Sequence, residues 1–251
     1  MWLWISVALS MEPVTEPLSK GFVDWTNLRM EITIESQQTT GAWQDRRLQE
    51  QDALDQLDEK IKSLAEDIQV TPDTTAGDIM ESNDPVGLRL QDGLSRWNIE
   101  ETRYFSGGGV EIVGVLDLQT WLQPALLSLA SAAAASDTPE TVTGLVIDAR
   151  GLSFDPCVAP RVATPDGQIL MQAQSLPPDT IKSRSPVVYV RDPADPMAAE
   201  RSGESPIFVR ATSVGATGAL ILETQSAGEI ATHPDLVGIV SQGRVVIILE
   251  P

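Results

Sequence analysis

Histidine and cysteine are almost absent from this chain: 251 residues contain one of each. With Cys157 alone, no intrachain disulfide forms, and its setting, Phe154-Asp155-Pro156-Cys157-Val158, reads as that of a small buried apolar residue. His233 stands beside proline in Ala231-Thr-His-Pro-Asp235 and reads as a loop residue. One thiol and one imidazole do not make a zinc site. A nucleophile–histidine–acid triad would have to run through His233, with no Gly-x-Ser-x-Gly elbow to partner it. Positive charge is scarce as well. Seventeen Lys and Arg face 36 Asp and Glu, a formal net charge of −19. That field repels phosphate backbones and anionic lipid surfaces, so nucleic acid is not an expected partner. No apolar run reaches the ~18–20 residues of a membrane helix, so no direct membrane span is expected.

What is present is patterned for folding. Residues 1–21 read as a degenerate export signal or docked arm followed by a linker. Met1 to Ser10 is short and apolar, with Trp2 and Trp4 suited to anchoring on a partner, and Pro13 and Pro17 bracket a polar stretch. Met30, Ile32 and Ile34 alternate with polar residues and predict a half-buried strand. From about 43 to 68, Leu54, Leu57, Ile61, Leu64 and Ile68 recur at helical spacing and predict a long amphipathic helix. Two short helical turns, near 75–79 and 86–99, follow Thr71-Pro72-Asp73. Strands are expected over 98–105 and 110–118, joined by Gly107-Gly108-Gly109. A strand, not a helix, follows these glycines, and no Walker lysine is present, so neither a dinucleotide nor a phosphate cradle is expected.

The fold class predicted is α+β. A strand–long helix–strand–strand domain covers residues 22–137, and a β-rich domain covers 138–251, with strands near 142–148, 186–190, 207–214, 219–222 and 244–249 and a short helix at 226–230. The acidic row Asp52, Asp55, Glu59 reads as a solvated helix face, and Asp192-Pro-Ala-Asp195-Pro as a rigid turn rather than a cation loop. Carboxylate pairs alone do not mark a catalytic site in a chain with 36 acids. No catalytic residue, cofactor or metal centre is therefore expected. Asp148 and Arg150, two positions apart near the end of a buried strand, are expected on one strand face, as an ion pair within the domain or an interface contact between subunits.

Several segments resemble a known family. They are Thr143-Gly-Leu-Val-Ile-Asp-Ala-Arg-Gly-Leu152, Ala159-Pro-Arg-Val162, Pro165-Asp-Gly167, Ser205-Pro-Ile-Phe-Val-Arg-Ala211, Ser226-Ala-Gly-Glu-Ile230 and Gly243-Arg-Val-Val-Ile-Ile-Leu-Glu250. Together with Val23-Asp-Trp25 ahead of the first strand, they are similar to the bacterial outer-membrane "lipoprotein twenty" family, with FlgP-type basal-disk lipoproteins and FlgT-type flagellar proteins as relatives. The lipobox cysteine of the lipoprotein members is missing here. The resemblance implies a non-catalytic structural protein of the envelope. It would be extracytoplasmic, in the periplasm, at the outer membrane or on the cell surface. It would assemble with itself and with flagellar or other envelope proteins, as a flagellum-associated ring or disk or an extracytoplasmic filament. Two alternatives stand beside it: a monomeric periplasmic adaptor for a protein or cell-wall partner, and a carboxylate-dependent hydrolase.

Overall fold

The computed structural model describes residues 12–36, 46–82, 84–106, 109–131 and 141–250. Its first strands are β1 (Thr15–Leu18), β2 (Gly21–Asp24) and β3 (Arg29–Ser36), followed by helix α1 (Arg46–Ala65). Strands β4 (Gln69–Thr71) and β5 (Thr74–Thr75) lead into α2 (Ala76–Glu81) and α3 (Pro85–Gly93). Strands β6 (Asn98–Tyr104) and β7 (Val110–Asp117) and helix α4 (Leu118–Leu129) follow. The second half runs β8 (Gly144–Asp148), β9 (Val162–Ala163), β10 (Ile169–Met171), α5 (Pro178–Ser183), β11 (Val187–Val190) and α6 (Pro196–Ser202). It ends with β12 (Pro206–Val214), β13 (Leu220–Leu222), α7 (Thr224–Ala231), α8 (Leu236–Ser241) and β14 (Val245–Ile248). The fold is α+β, with a strand-rich second half that also carries α5 to α8.

The first sheet has the order β1-β2-β3-β7-β6 and every neighbour in it is antiparallel. Here the expectation of a linker over Pro13–Pro17 is corrected: Thr15–Leu18 is a strand paired to β2. Proline is tolerated there because β1 is an edge strand, where one side of the backbone needs no ladder partner. Helix α1 covers one face of β3 and β7. Its fully buried stripe is Ala53, Leu57, Ile61 and Ala65, while Leu54 and Leu64 are half-buried flanks and Ile68 is buried beyond the helix end. Small residues at both ends of the stripe let the helix sit close. Gly114 of β7 does the same from below, since an added Cβ would stand 2.8 Å from Leu57 Cδ2 and 3.2 Å from Ile61 Cδ1. The predicted helix start at Trp43 lies outside the described residues.

The second sheet has the order β10-β9-β13-β12-β8-β14-β11, with β12, β8, β14 and β11 mutually parallel. Parallel strands covered on both faces read as continuous apolar runs, and Val245–Ile248 is buried at every position. Leu145, Ile147, Tyr189, Val245 and Ile247 belong to the main core, while Val146, Val188, Val190, Val246 and Ile248 form a smaller one beneath Ala198 and Met197 of α6. Gly144 allows this helix to approach, because a Cβ there would fall 2.4 Å from the Ser202 carbonyl oxygen. Arg201 then reaches beneath the sheet. Its guanidinium donates to the carbonyls of Ser185 (2.8 Å) and Gly243 (2.9 Å), just ahead of β11 and β14. Burial lowers its pKa to about 10, which leaves it cationic at neutral pH.

The two sheets share one buried cluster that runs from Val14 to Leu249. At the joint Thr26 Oγ1 donates to the Tyr189 carbonyl (2.8 Å), and Trp25 meets the Tyr189 ring edge-on at 6.3 Å. The Tyr189 hydroxyl donates to the Cys157 carbonyl at 2.7 Å, and the amides of Val158 and Ala159 donate to Gln69 and Val70 of β4. Cys157 is buried beside it and its thiol is pushed up to about 12 by desolvation, so it stays protonated at neutral pH.

Asp235 fixes the start of the second half. One buried carboxylate oxygen accepts from Thr141 N (2.7 Å), Thr141 Oγ1 (2.8 Å) and Val142 N (3.0 Å). These bonds, the Thr141 hydroxyl first, hold its pKa below the ordinary aspartate value. A lowered folded-state pKa means that the stabilisation is present above about pH 4, the unfolded value, and is lost as pH falls through the folded one. Asp235→Ala should therefore melt lower than the parent at pH 7, with the gap closing as the pH is taken below 4. A gap that stays constant down to pH 2 in parallel melts would show that the carboxylate charge contributes nothing.

Candidate functional site

Open parallel sheets gather ligands at the carboxyl ends of their strands. In this protein that rim carries Asp148 at the end of β8, Arg150 two residues on, Arg191 after β11 and Glu250 after β14. The strand ends at Asp148, so the expectation of two charges on one strand face is corrected. Arg150 sits in the following turn, where Gly151 takes φ +82°, and folds back on its neighbour. Its Nε donates to Asp148 Oδ1 (2.8 Å) and its Nη2 to Oδ2 (2.6 Å), a bidentate pair within the chain. The pair lowers the carboxyl's pKa and raises the guanidinium's. Arg191 is engaged with backbone: Nε donates to the Pro13 carbonyl (2.9 Å) and Nη1 to that of Glu250 (2.7 Å). Trp2 and Trp4 lie outside the described residues.

A cleft of about 420 Å³ lies at the seam between the halves, lined among others by Asp73, Asp78, Asp84, Arg161 and Gln172. Each carboxylate in it already has a local task. Asp78 closes a capping box with Thr75 on α2, and Asp84 caps α3 by accepting from Val86 N and Gly87 N at 2.8 Å. Asp73 accepts from Thr71 Oγ1 (2.7 Å) and pairs with Arg161 (3.2 Å). All three titrate below the ordinary aspartate value because of these hydrogen bonds. A hydrolytic carboxyl pair needs the reverse for its acid member, a raised pKa. Elsewhere Asp192 and Asp195 form the turn ahead of α6, accepting from Ala194 N and Met197 N at 2.8 Å. His233 Nδ1 accepts from Asp235 N at 3.2 Å in the loop before α8. Among the described residues no group of three or more His, Cys, Asp or Glu is placed to hold a metal ion.

The margin of the first sheet is built differently. Among the described residues strand β6 has one neighbour, β7, and six of its seven residues are exposed, with only Thr102 half-buried. Two apolar side chains stand on it in the open, Ile99 at 49% and Tyr104 at 50% exposure. Register with β7 assigns their faces, because residues directly opposite one another share one. Ile99, Thr102 and Tyr104 oppose Gly114, Ile112 and Val110, on the side that α1 covers; Glu101 and Arg103 oppose Val113 and Glu111, on the other. Glu100 is the extra residue of a bulge between Ile99 and Glu101. Sequence reasoning passed over these residues, although β6 itself was expected, because an edge shows only once the strand order is known.

Residues 144–251 match the family described as the second domain of Treponema pallidum Tp0624. The match opens on the first residue of β8 and takes in the whole seven-stranded sheet. No curated protein matches the chain. The second half is thus similar to a domain of a Treponema pallidum protein.

Proposed function

We propose that this protein is a non-catalytic structural component of the bacterial envelope, located outside the cytoplasm, that assembles with copies of itself. A flagellum-associated ring or disk and an extracytoplasmic filament are the assemblies that the lipoprotein-twenty resemblance suggests. The observation that supports self-assembly best is the β6 margin. An edge strand of seven residues presents unpaired backbone donors and acceptors to any strand that can lie beside it. The charges at the rim of the second sheet are engaged within the chain, so Asp148 and Arg150 serve this reading as an internal clamp.

The net charge of −19 sets a condition on assembly. Copies repel at long range, and salt shortens that range from ~30 Å at 0.01 M to ~8 Å at 0.15 M. Light scattering on the purified protein should give a mass that rises from one chain toward multiples of it across that interval. A single-chain mass at every salt concentration would reject self-assembly in favour of a monomeric adaptor.

A further inference from the structure

Self-assembly needs a surface on which one copy fits another, and β6 is complementary to itself. The geometry points to a two-fold contact in which β6 of two copies pair antiparallel about Thr102, joining two five-stranded sheets into one of ten; the inference rests on the self-assembling reading above. Rotation about an axis normal to the sheet and midway between the two copies of Thr102 places Glu101 of each copy opposite Arg103 of the other, both on the face away from α1. Going outward, the bulge at Glu100 absorbs one residue, so Ile99 comes opposite the partner's Tyr104 on the α1 side. Thr102 faces its own copy at the centre, also on the α1 side. Each of these is a favoured cross-strand pair: opposite charges, an aliphatic with an aromatic, and threonine with threonine.

The fit is specific to this register. Moving the axis to Glu101 sets Glu101 against itself, and moving it to Arg103 does the same to that arginine; like charges directly opposite destabilise a pair. Charges on an edge strand ordinarily prevent pairing. On β6 they have opposite signs two positions apart, so they reject slipped registers and favour the one about Thr102. Helix α1 packs chiefly over β3 and β7, and its first turns reach the margin only at Tyr104, whose hydroxyl donates to Glu50 (3.2 Å) and whose ring lies 5.8 Å from the Arg46 guanidinium; the ring stays 50% exposed. The other edge of this sheet, β1, is four residues long and carries Pro17, which weakens it as a template.

Charge reversal tests the pairing in trans. Glu101→Arg puts arginine opposite arginine, Arg103→Glu puts glutamate opposite glutamate, and each variant alone should raise the dimer dissociation constant about tenfold or more at 0.15 M salt. An equimolar mixture of the two single variants restores both pairs across the axis, so it should recover a dimer as tight as the parent. The same side chains also meet within one chain, at 2.5 Å, but a contact within a chain cannot be rescued by mixing. A Thr102→Cys variant adds a positional readout. It should give a covalent dimer with a short thiol-to-thiol linker, whereas Thr212→Cys, exposed on the other sheet, should not. Cys157 is buried and should stay silent in both. If scattering finds multimers while mixing rescues nothing and Thr102→Cys links no better than Thr212→Cys, copies meet elsewhere and the β6 contact is overturned while self-assembly stands. If the parent is a single chain at every salt concentration, both are overturned.

Discussion

Leu57→Asp should abolish the cooperative thermal transition. Leu57 is fully buried at the centre of the α1 stripe, against Gly114 and beside Ile61. Removing it forfeits ~1.5–3 kcal/mol of apolar burial. Placing a carboxylate there without a partner adds several kcal/mol, by direct desolvation or by forced protonation. The sum is comparable to the ~5–15 kcal/mol that holds a typical domain. Ile61→Asp should behave alike, whereas Leu54→Asp, at a half-buried flank, should melt only a few degrees below the parent. Circular dichroism melts of the three variants decide the matter. A parent-like transition in Leu57→Asp would show that α1 does not rest on the sheet as described.

The second large effect is expected at the joint. Tyr189 is fully buried, touches Trp25 and Phe154 with its ring, and bonds Cys157 with its hydroxyl. Tyr189→Ala should cost ~3–5 kcal/mol, the range for emptying an aromatic site in a core. It should also divide the unfolding. The parent, with one continuous core, should melt in a single calorimetric step whose measured enthalpy equals the van't Hoff value. The variant, with a cavity between the sheets, should melt in two. Tyr189→Phe keeps the ring but strips the Cys157 carbonyl of its donor, at ~1–3 kcal/mol, and should lower the single step without splitting it. Two steps in the parent would mean that the joint does not couple the halves.

Much of the first half was legible because each signal there is local. Alternation at Met30, Ile32 and Ile34 marks β3, and helical spacing marks α1 to within a few residues. Strand β1 was hidden by Pro13 and Pro17, which read as breakers until an edge position is known. Helices α5 and α6 were hidden by their own start signals. Pro178 and Pro196 stand in the first turn, where proline is favoured, yet Pro-Pro and Asp-Pro also read as turns in short segments. Neither helix reaches two full turns, so periodicity could not separate the readings. Asp148 and Arg150 were legible as a pair, but the end of the strand between them was not. Asp235 and Arg201 could not be found in sequence at all, since their partners lie 93 and 94 residues away for the first and 16 and 42 for the second. The complementarity of Ile99-Glu-Glu-Thr-Arg-Tyr104 was always in the chain. It acquires meaning when β6 proves to be an edge.

The placement of β14 bears on time as well as shape. Residues 245–248 lie between β8 and β11, and among the described residues no other strand joins those two. A ribosome that has delivered β8, β11 and β12 has still not delivered the piece that unites them, so the parallel sheet closes only after residue 248 has emerged. The first sheet has no such wait, since its last strand, β7, is complete at residue 117. During synthesis the nascent chain therefore carries a finished antiparallel layer beside a half-sheet with a missing centre. The strand on which that half depends is the last of the sheet's seven to be made.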